Sequence, residues 1–214
     1  MLEQPLFSLA DTPEADLERT GGLNVAVDQT FCTATRIRLD DTSWVDHVQG
    51  WLAGDTELAE ALMRQASWEQ RSRWMYTRTV IEPRLTAEYP VIADAPQPVL
   101  RYLAEVLSAH YQRPYARLWM NWYRDNTDGT GWHADRPANQ RDEAVIPVLS
   151  LGATRRFLIR PEGGGPGTAI VTHGGDLVVM GGRCQKDYQH SVPKQRQPAG
   201  ARLSLNFSTA TPAG

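Results

Sequence analysis

His133 and Asp135 stand two residues apart, just after a polar run with two glycines, Asp125 to Gly131, and His190 follows far downstream. On extended chain, side chains two apart project from one face, so this imidazole and carboxylate can reach one ion. A His-x-Asp pair alone identifies nothing, because both residue types are common at protein surfaces. Together with His190 the set becomes two imidazoles and one carboxylate, which leaves three positions open on Fe(II) for a cosubstrate and oxygen. A second feature concerns charge. Arg202 opens a stretch in which Leu203, Leu205 and Phe207 form an apolar row and Arg202, Ser204, Asn206 and Ser208 a polar one. Facing solvent, the polar row would make an ordinary outer strand; facing a barrel interior, Arg202 would need a partner, and a ligand carboxylate would serve. The other histidines read as structural: His47 as a surface or capping imidazole, His110 as matched to a helix C-terminus, and His173 as a group before a glycine turn.

The elements that must carry these residues follow from periodicity. Leu118 to Tyr123 alternates, with Leu118, Met120 and Trp122 on one side and Trp119, Asn121 and Tyr123 on the other, which predicts a strand leading into the polar loop. Val25 to Leu39 predicts one or two short strands. Asp41, Thr42 or Ser43 is expected to cap a helix beginning near Trp44, with Val45, Val48, Trp51 and Leu52 at helical spacing. A second helix is expected from Thr56 through Met63, and a third from Pro98 to His110, with proline tolerated in the first turn. Downstream, Ala144 to Leu151, Arg155 to Arg160, Gly167 to Val171, Asp176 to Met180 and Ala201 to Ser208 read as strands between glycine-rich turns. His190 is expected at the start of a strand. A short ligand pair followed by a distant histidine is the order expected when ligands sit on neighbouring strands at one mouth of a jelly roll.

Composition bounds the rest. The chain has 214 residues, enough for one domain with a sizeable core. No apolar run approaches a membrane span and the first residues lack the features of a signal peptide, so a cytoplasmic protein without membrane association is expected. Cys32 and Cys184 are expected to be reduced thiols. Residues 1 to 60 carry twelve Asp and Glu against three Arg, and the remainder is net basic. That division fits either a solvated acidic face or a basic working surface, and charge does not settle the partner. From Ala66 to Tyr89, arginines interleave with Trp68, Trp74, Tyr76 and Tyr89, a composition that suits both packing with snorkelling arginines and contact with phosphates and bases.

Six strings occurring in order carry a family resemblance. They are PRLTAEY (83–89), NWYRDNTDGTGWHAD (121–135), LSLGATRRFLIR (149–160), GGDLVVMGG (174–182), QHSVPK (189–194) and ARLSLNF (201–207). With them the chain resembles the AlkB-type 2-oxoglutarate- and Fe(II)-dependent dioxygenases, in particular those that repair alkylated DNA and RNA. The resemblance implies an α+β fold: a double-stranded β-helix (jelly-roll) core with N-terminal helices and a nucleotide-recognition lid. The expected organisation is a mobile segment over 1–24 and a single domain over 25–214, with a lid over 66–90 and the jelly-roll core over 115–208. The resemblance also implies Fe(II) held by His133, Asp135 and His190, 2-oxoglutarate held by Asn121, Tyr123 and Arg202, O2 as co-reactant, and substrate contacts from Tyr89 and Arg160. The reaction implied is oxidative demethylation of alkylated bases in DNA or RNA by a monomer, releasing formaldehyde, succinate and CO2.

The sequence departs from the family pattern at three positions. Ser208 stands where relatives commonly place a second arginine, which costs a fixed charge and a fork-shaped donor. Pro137 stands where they place an acidic residue that contacts the base; Asp142 and Glu143 are the acidic residues that could stand in. Glu88 replaces the aromatic often found before Tyr89. These departures keep two alternatives in view: a hydroxylase or demethylase of a protein or small metabolite, and a catalytically inactive nucleic-acid-binding homologue.

Overall fold

The computed structural model describes residues 18–75, 77–136 and 138–210. Most of the segment expected to be mobile, together with Tyr76 and Pro137, lies outside the described residues. In chain order the strands are β1 (Ala26–Val27), β2 (Ala34–Arg38), β3 (Ser43–Val48) and β4 (Leu52–Ala53), followed by helix α1 (Asp55–Gln65). Then come β5 (Ser72–Met75), β6 (Arg78–Ile81), β7 (Leu85–Tyr89) and α2 (Pro98–Tyr111). Next are β8 (Tyr115–Tyr123), β9 (Thr130–His133), β10 (Ile146–Gly152), β11 (Arg155–Pro161), β12 (Thr168–Thr172) and β13 (Leu177–Gly182). The short helix α3 (Cys184–Asp187) precedes β14 (Tyr188–Val192) and β15 (Arg202–Thr209).

A seven-stranded sheet runs β2-β3-β13-β10-β15-β8-β7 and a four-stranded sheet runs β12-β11-β14-β9. All their pairings are antiparallel. This is the strand arrangement of a jelly roll, mostly β with few helices. The sheets separate two cores. On the outer face of the larger sheet, Leu118, Met120, Leu149, Leu203, Leu205 and Phe207 pack with Leu58 and Leu62 of α1 and Leu100, Leu103 and Leu107 of α2. On its inner face, Val148, Val178 and Met180 meet Phe157, Ile159 and Val192 of the smaller sheet. Period-two alternation on β8 and β15 therefore sorts apolar residues toward the helices and polar ones inward.

Both later helices form close to where periodicity puts them; α2 starts on Pro98 and ends where Gln112 takes a left-handed conformation at φ 52°. The helix expected near Trp44 does not form. Ser43–Val48 is strand β3, wedged between β2 and β13. Asp40 Oδ1 accepts the amides of Thr42 and Ser43, each at 2.7 Å, and so turns the chain into the strand where a helix cap was expected. Val45 and Val48 are fully buried and Ser43 and Asp46 nearly so, and a strand buried on both faces shows no clean alternation. His47, on this strand, pairs with the buried Asp176 at 3.1 Å. Cys32 and Cys184 are free thiols, as expected. Among the described residues, no helix is long and apolar enough to cross a membrane.

Candidate metal centre and its cavity

The register of β9 against β14 sets His133 directly opposite His190, with ring centroids 4.2 Å apart. His190 is the third residue of β14, which follows directly on α3. Asp135 lies just beyond β9. Its Oδ1 is 3.6 Å from Nε2 of both histidines, and the ligand atoms of the three residues lie within 4.8 Å of one another. Burial, followed by the neighbouring His190, pushes the His133 imidazole down to about 4, so at neutral pH it is uncharged with a free lone pair. Its Nδ1 sits 2.9 Å from the Gly131 carbonyl; donation there leaves Nε2 as the lone-pair nitrogen. Burial acts to raise the Asp135 carboxyl, but His190, His133 and a hydrogen bond from Gln185 outweigh it and hold the group at about 2. Two imidazoles and one ionised carboxylate make a donor set for a divalent ion with coordination positions to spare.

The loop before β9 is held tightly. Arg124 chelates Asp128 at 2.8 and 3.0 Å, and the fully buried Arg155 donates to the carbonyls of Asp125, Asp128 and Pro193 at 3.0, 2.7 and 2.8 Å. Gly129 passes so close to the end of β14 that a Cβ there would lie 2.8 Å from the Val192 carbonyl oxygen. Arg155 gives no sign of this role in the sequence, beyond being a charge on an inward-facing strand position.

The three residues open into a cavity of about 370 Å³ between the sheets. Arg202, Ser204, Asn206 and Ser208 line it, so the polar row of the last strand faces inward. Arg202 is 1% exposed. Its Nη2 donates to Ser150 Oγ at 2.8 Å, and its Nε and Nη1 have no partner. Burial lowers this guanidinium to about 10, which leaves it charged at neutral pH. A buried cation with two unpartnered N–H-bearing nitrogens, on a residue that lines the cavity, fits a carboxylate. Asn121 and Tyr123 line the same wall. Asn121 donates to Ser204 Oγ at 3.1 Å and accepts from Arg84 Nε at 2.9 Å and Trp119 Nε1 at 3.0 Å. The Tyr123 hydroxyl shares a 2.9 Å hydrogen bond with Thr130.

Of the other expected residues, Tyr89 and Arg160 stand apart from this group. Tyr89 packs on the helix-side core, and its hydroxyl accepts the Ser67 amide at 3.4 Å; Arg160 lies over the Trp132 ring at 4.0 Å. Asp142 pairs with Lys186 and Arg183 at the surface, and neither it nor Glu143 lines the cavity. The carboxylate that does, besides Asp135, is Glu88, held by Arg71 at 3.3 Å and Arg117 at 3.4 Å. Arg84, Arg117, Arg136 and Arg141 also line the cavity.

A model of the 2OG-Fe(II) oxygenase superfamily matches residues 45–207. The mouse (Mus musculus) alpha-ketoglutarate-dependent dioxygenase alkB homolog 3 is 33% identical over 176 residues, covering 72% of this chain and 61% of that protein. The DNA oxidative demethylase ALKBH2 of Arabidopsis thaliana is 29% identical over 132 residues, covering 49% of this chain and 42% of that one. The chain thus spans about three fifths, or less, of the length of the curated relatives it matches. The solved structure of OsALKBH1 superposes with a TM-score of 0.56 at 12% identity, covering 82% of this chain and 100% of that one, a likeness of fold. With more than half its length matched and its inward polar residues arranged as described, the chain belongs to the 2OG-Fe(II) oxygenase superfamily and is of the AlkB type.

Proposed function

We propose that the protein is a 2-oxoglutarate- and Fe(II)-dependent dioxygenase that demethylates alkylated bases in nucleic acid. The observation that carries the reading is one cavity with His133, Asp135 and His190 on one wall and the under-partnered Arg202 on another. In this reading the triad would hold the ion through Nε2 of His133, the imidazole of His190 and Oδ1 of Asp135. Arg202 anchors the far carboxylate of 2-oxoglutarate, with Ser150 and Tyr123 fixing the guanidinium and Asn121 bracing the wall. When bound, the ferrous ion would activate O2, the oxidant, one oxygen atom of which would be spent on converting 2-oxoglutarate to succinate and CO2 and the other on hydroxylating a substrate C–H bond. The rest is binding. Val148, Phe157 and Val192 line the interior beside the triad with apolar surface. An N-hydroxymethyl product then breaks down to formaldehyde and the unmodified base.

Several features support nucleic acid as the substrate class. The cavity is lined by Arg84, Arg117, Arg136 and Arg141, a cationic surround suited to phosphates. We read residues 66–90 as the lid: Arg71 covers the Trp119 ring at 4.3 Å, and the β5–β6 hairpin carries the exposed Trp74 (70%) and Ile81 (64%). An exposed aromatic among arginines suits stacking on a base that must be taken out of its helix. The test is to incubate the protein with Fe(II), 2-oxoglutarate and methylated oligonucleotides and to measure formaldehyde. Absence of release from both 1-methyladenine and 3-methylcytosine removes the proposal. A second reading, hydroxylation of a protein or small metabolite, is favoured by Ser208, which lines the cavity where relatives commonly place an arginine. Substrate-linked succinate formation without oligonucleotide turnover would select it.

A further inference from the structure

Asp135 differs from its two histidine partners in what holds it. His133 and His190 sit on paired strands, where the hydrogen-bond ladder fixes their backbones. Asp135 lies past the end of β9, where its carbonyl accepts the Asn139 amide at 2.9 Å. The group that fixes its carboxylate comes from elsewhere in the chain. Gln185, on α3 and 1% exposed, accepts the Asp135 amide at its Oε1 (2.8 Å) and donates from its Nε2 to Asp135 Oδ2 (3.1 Å). One side-chain amide thus holds both the backbone and the carboxylate of the same residue. The Gln185 amide is itself confined: it also contacts the Met180 sulfur at 3.4 Å, and its helix is tied by Arg183 to Asp187 at 2.7 and 3.0 Å.

We propose that Gln185 is a positioning residue that makes Asp135 a one-oxygen ligand. By occupying Oδ2, it leaves Oδ1 as the oxygen turned toward both imidazole Nε2 atoms, 3.6 Å from each. A carboxylate free to rotate offers either oxygen or both to an ion, and a second coordinated oxygen takes up a position that cosubstrate or oxygen needs. Holding Asp135 in place before the ion arrives also reduces the ordering that binding would otherwise require. Gln185 touches no reacting atom; it acts through Asp135.

This inference rests on the metal-site reading above, and the experiment separates the two. Co(II) binding is followed by calorimetry and by the visible absorption of the bound ion, in the wild type, in Gln185→Met, which keeps the buried volume, and in Gln185→Asn, which keeps the amide on a shorter stem. Met180→Leu serves as a control that removes the sulfur contact and leaves both bonds to Asp135. Thermal unfolding reports on folding in every case. Loss of an outer partner of a metal ligand costs roughly 10- to 100-fold in metal affinity. Both Gln185 variants are expected to lose affinity in that range with an altered Co(II) spectrum, and Met180→Leu to match the wild type. A folded Gln185 variant that binds Co(II) within about twofold of the wild type with an unchanged spectrum overturns the proposal. If wild-type protein binds no Co(II), the metal-site reading itself fails. The metal-free wild type provides a test that needs no variant: the Asp135 amide and the Gln185 side-chain amide should be protected from hydrogen exchange, and free exchange at both would overturn the inference even if neither variant folds.

Discussion

Arg155 and Arg202 are both 1% exposed, and their guanidinium carbons lie 5.6 and 5.4 Å from the same Tyr123 ring. Neither forms a salt bridge among the described residues, yet they differ in how their hydrogen bonds are spent. Arg155 makes three bonds to backbone carbonyls and leaves only Nε without a partner. Arg202 makes one bond, to Ser150, and leaves Nε and Nη1. A buried cation that is nearly saturated by main-chain oxygens holds a loop in place. A buried cation left largely unsaturated, at a cavity wall, is costly to the fold unless something anionic comes to it. The comparison gives a criterion that residue type alone cannot supply: of two buried arginines, the one with fewer partners is the candidate for binding an anion.

Arg155→Met should have the largest effect, on stability. It strands three carbonyls that converge on one point, at a cost on the order of 3–5 kcal/mol, measured by urea unfolding. An Arg155→Met protein as stable as the wild type would break the comparison. Arg202→Met should do the reverse. Replacing an unpaired buried charge by an apolar chain of similar volume is near neutral or stabilising, while loss of a charged hydrogen-bonding partner weakens 2-oxoglutarate binding by roughly 2–3 kcal/mol, or some 30- to 150-fold. Titration calorimetry with 2-oxoglutarate checks the second part; unchanged affinity would mean that the cosubstrate is anchored elsewhere.

The contrast also explains what the sequence made legible. The inward row on β15 and the Asn121–Tyr123 face of β8 could be read because each strand has one apolar side against the helices and one polar side, so period two is visible. β3 could not, because it is buried on both sides and Val45 and Val48, with Trp51 and Leu52 beyond its end, also fit helical spacing. His133, Asp135 and His190 could be grouped by ligand chemistry and by their strings. Gln185 and Arg155 could not. Their roles depend on which backbone atoms the folded chain brings within reach, and a buried Gln or Arg has no fixed spacing from the residue it holds. Tyr89 lies in one of those strings, and its side chain packs on the helix-side core.

Gly129→Ala tests the same loop more gently. The added methyl meets the Val192 carbonyl at 2.8 Å and the Lys194 amide at 3.0 Å, so backbone must shift, at about 1–2 kcal/mol. Because Val192 is two residues from His190 on β14, this variant should lose metal affinity as well as stability, whereas Arg202→Met should keep its metal affinity. Parallel Co(II) titrations distinguish them.

The smallest expected effect is on acid stability. Asp128 offers its carbonyl to Arg155 and its nearly buried carboxylate to Arg124. Burial acts to raise this carboxyl, but the hydrogen bonds and charge of Arg124 prevail and its pKa lies below the ordinary value. A carboxyl depressed in the folded state contributes stability above its unfolded pKa of about 3.9, and that contribution is lost as pH falls through the folded value. Arg124 is 42% exposed, so solvent screening limits the contribution to under about 1 kcal/mol. Unfolding measured between about pH 6 and pH 3 should therefore show a steeper acid loss in the wild type than in Asp128→Asn, which keeps the carbonyl for Arg155 but has no carboxylate to protonate. Identical slopes would show that the loop is held by Arg155 alone, and the division between a clamped loop and an open binding wall would then rest on a single guanidinium.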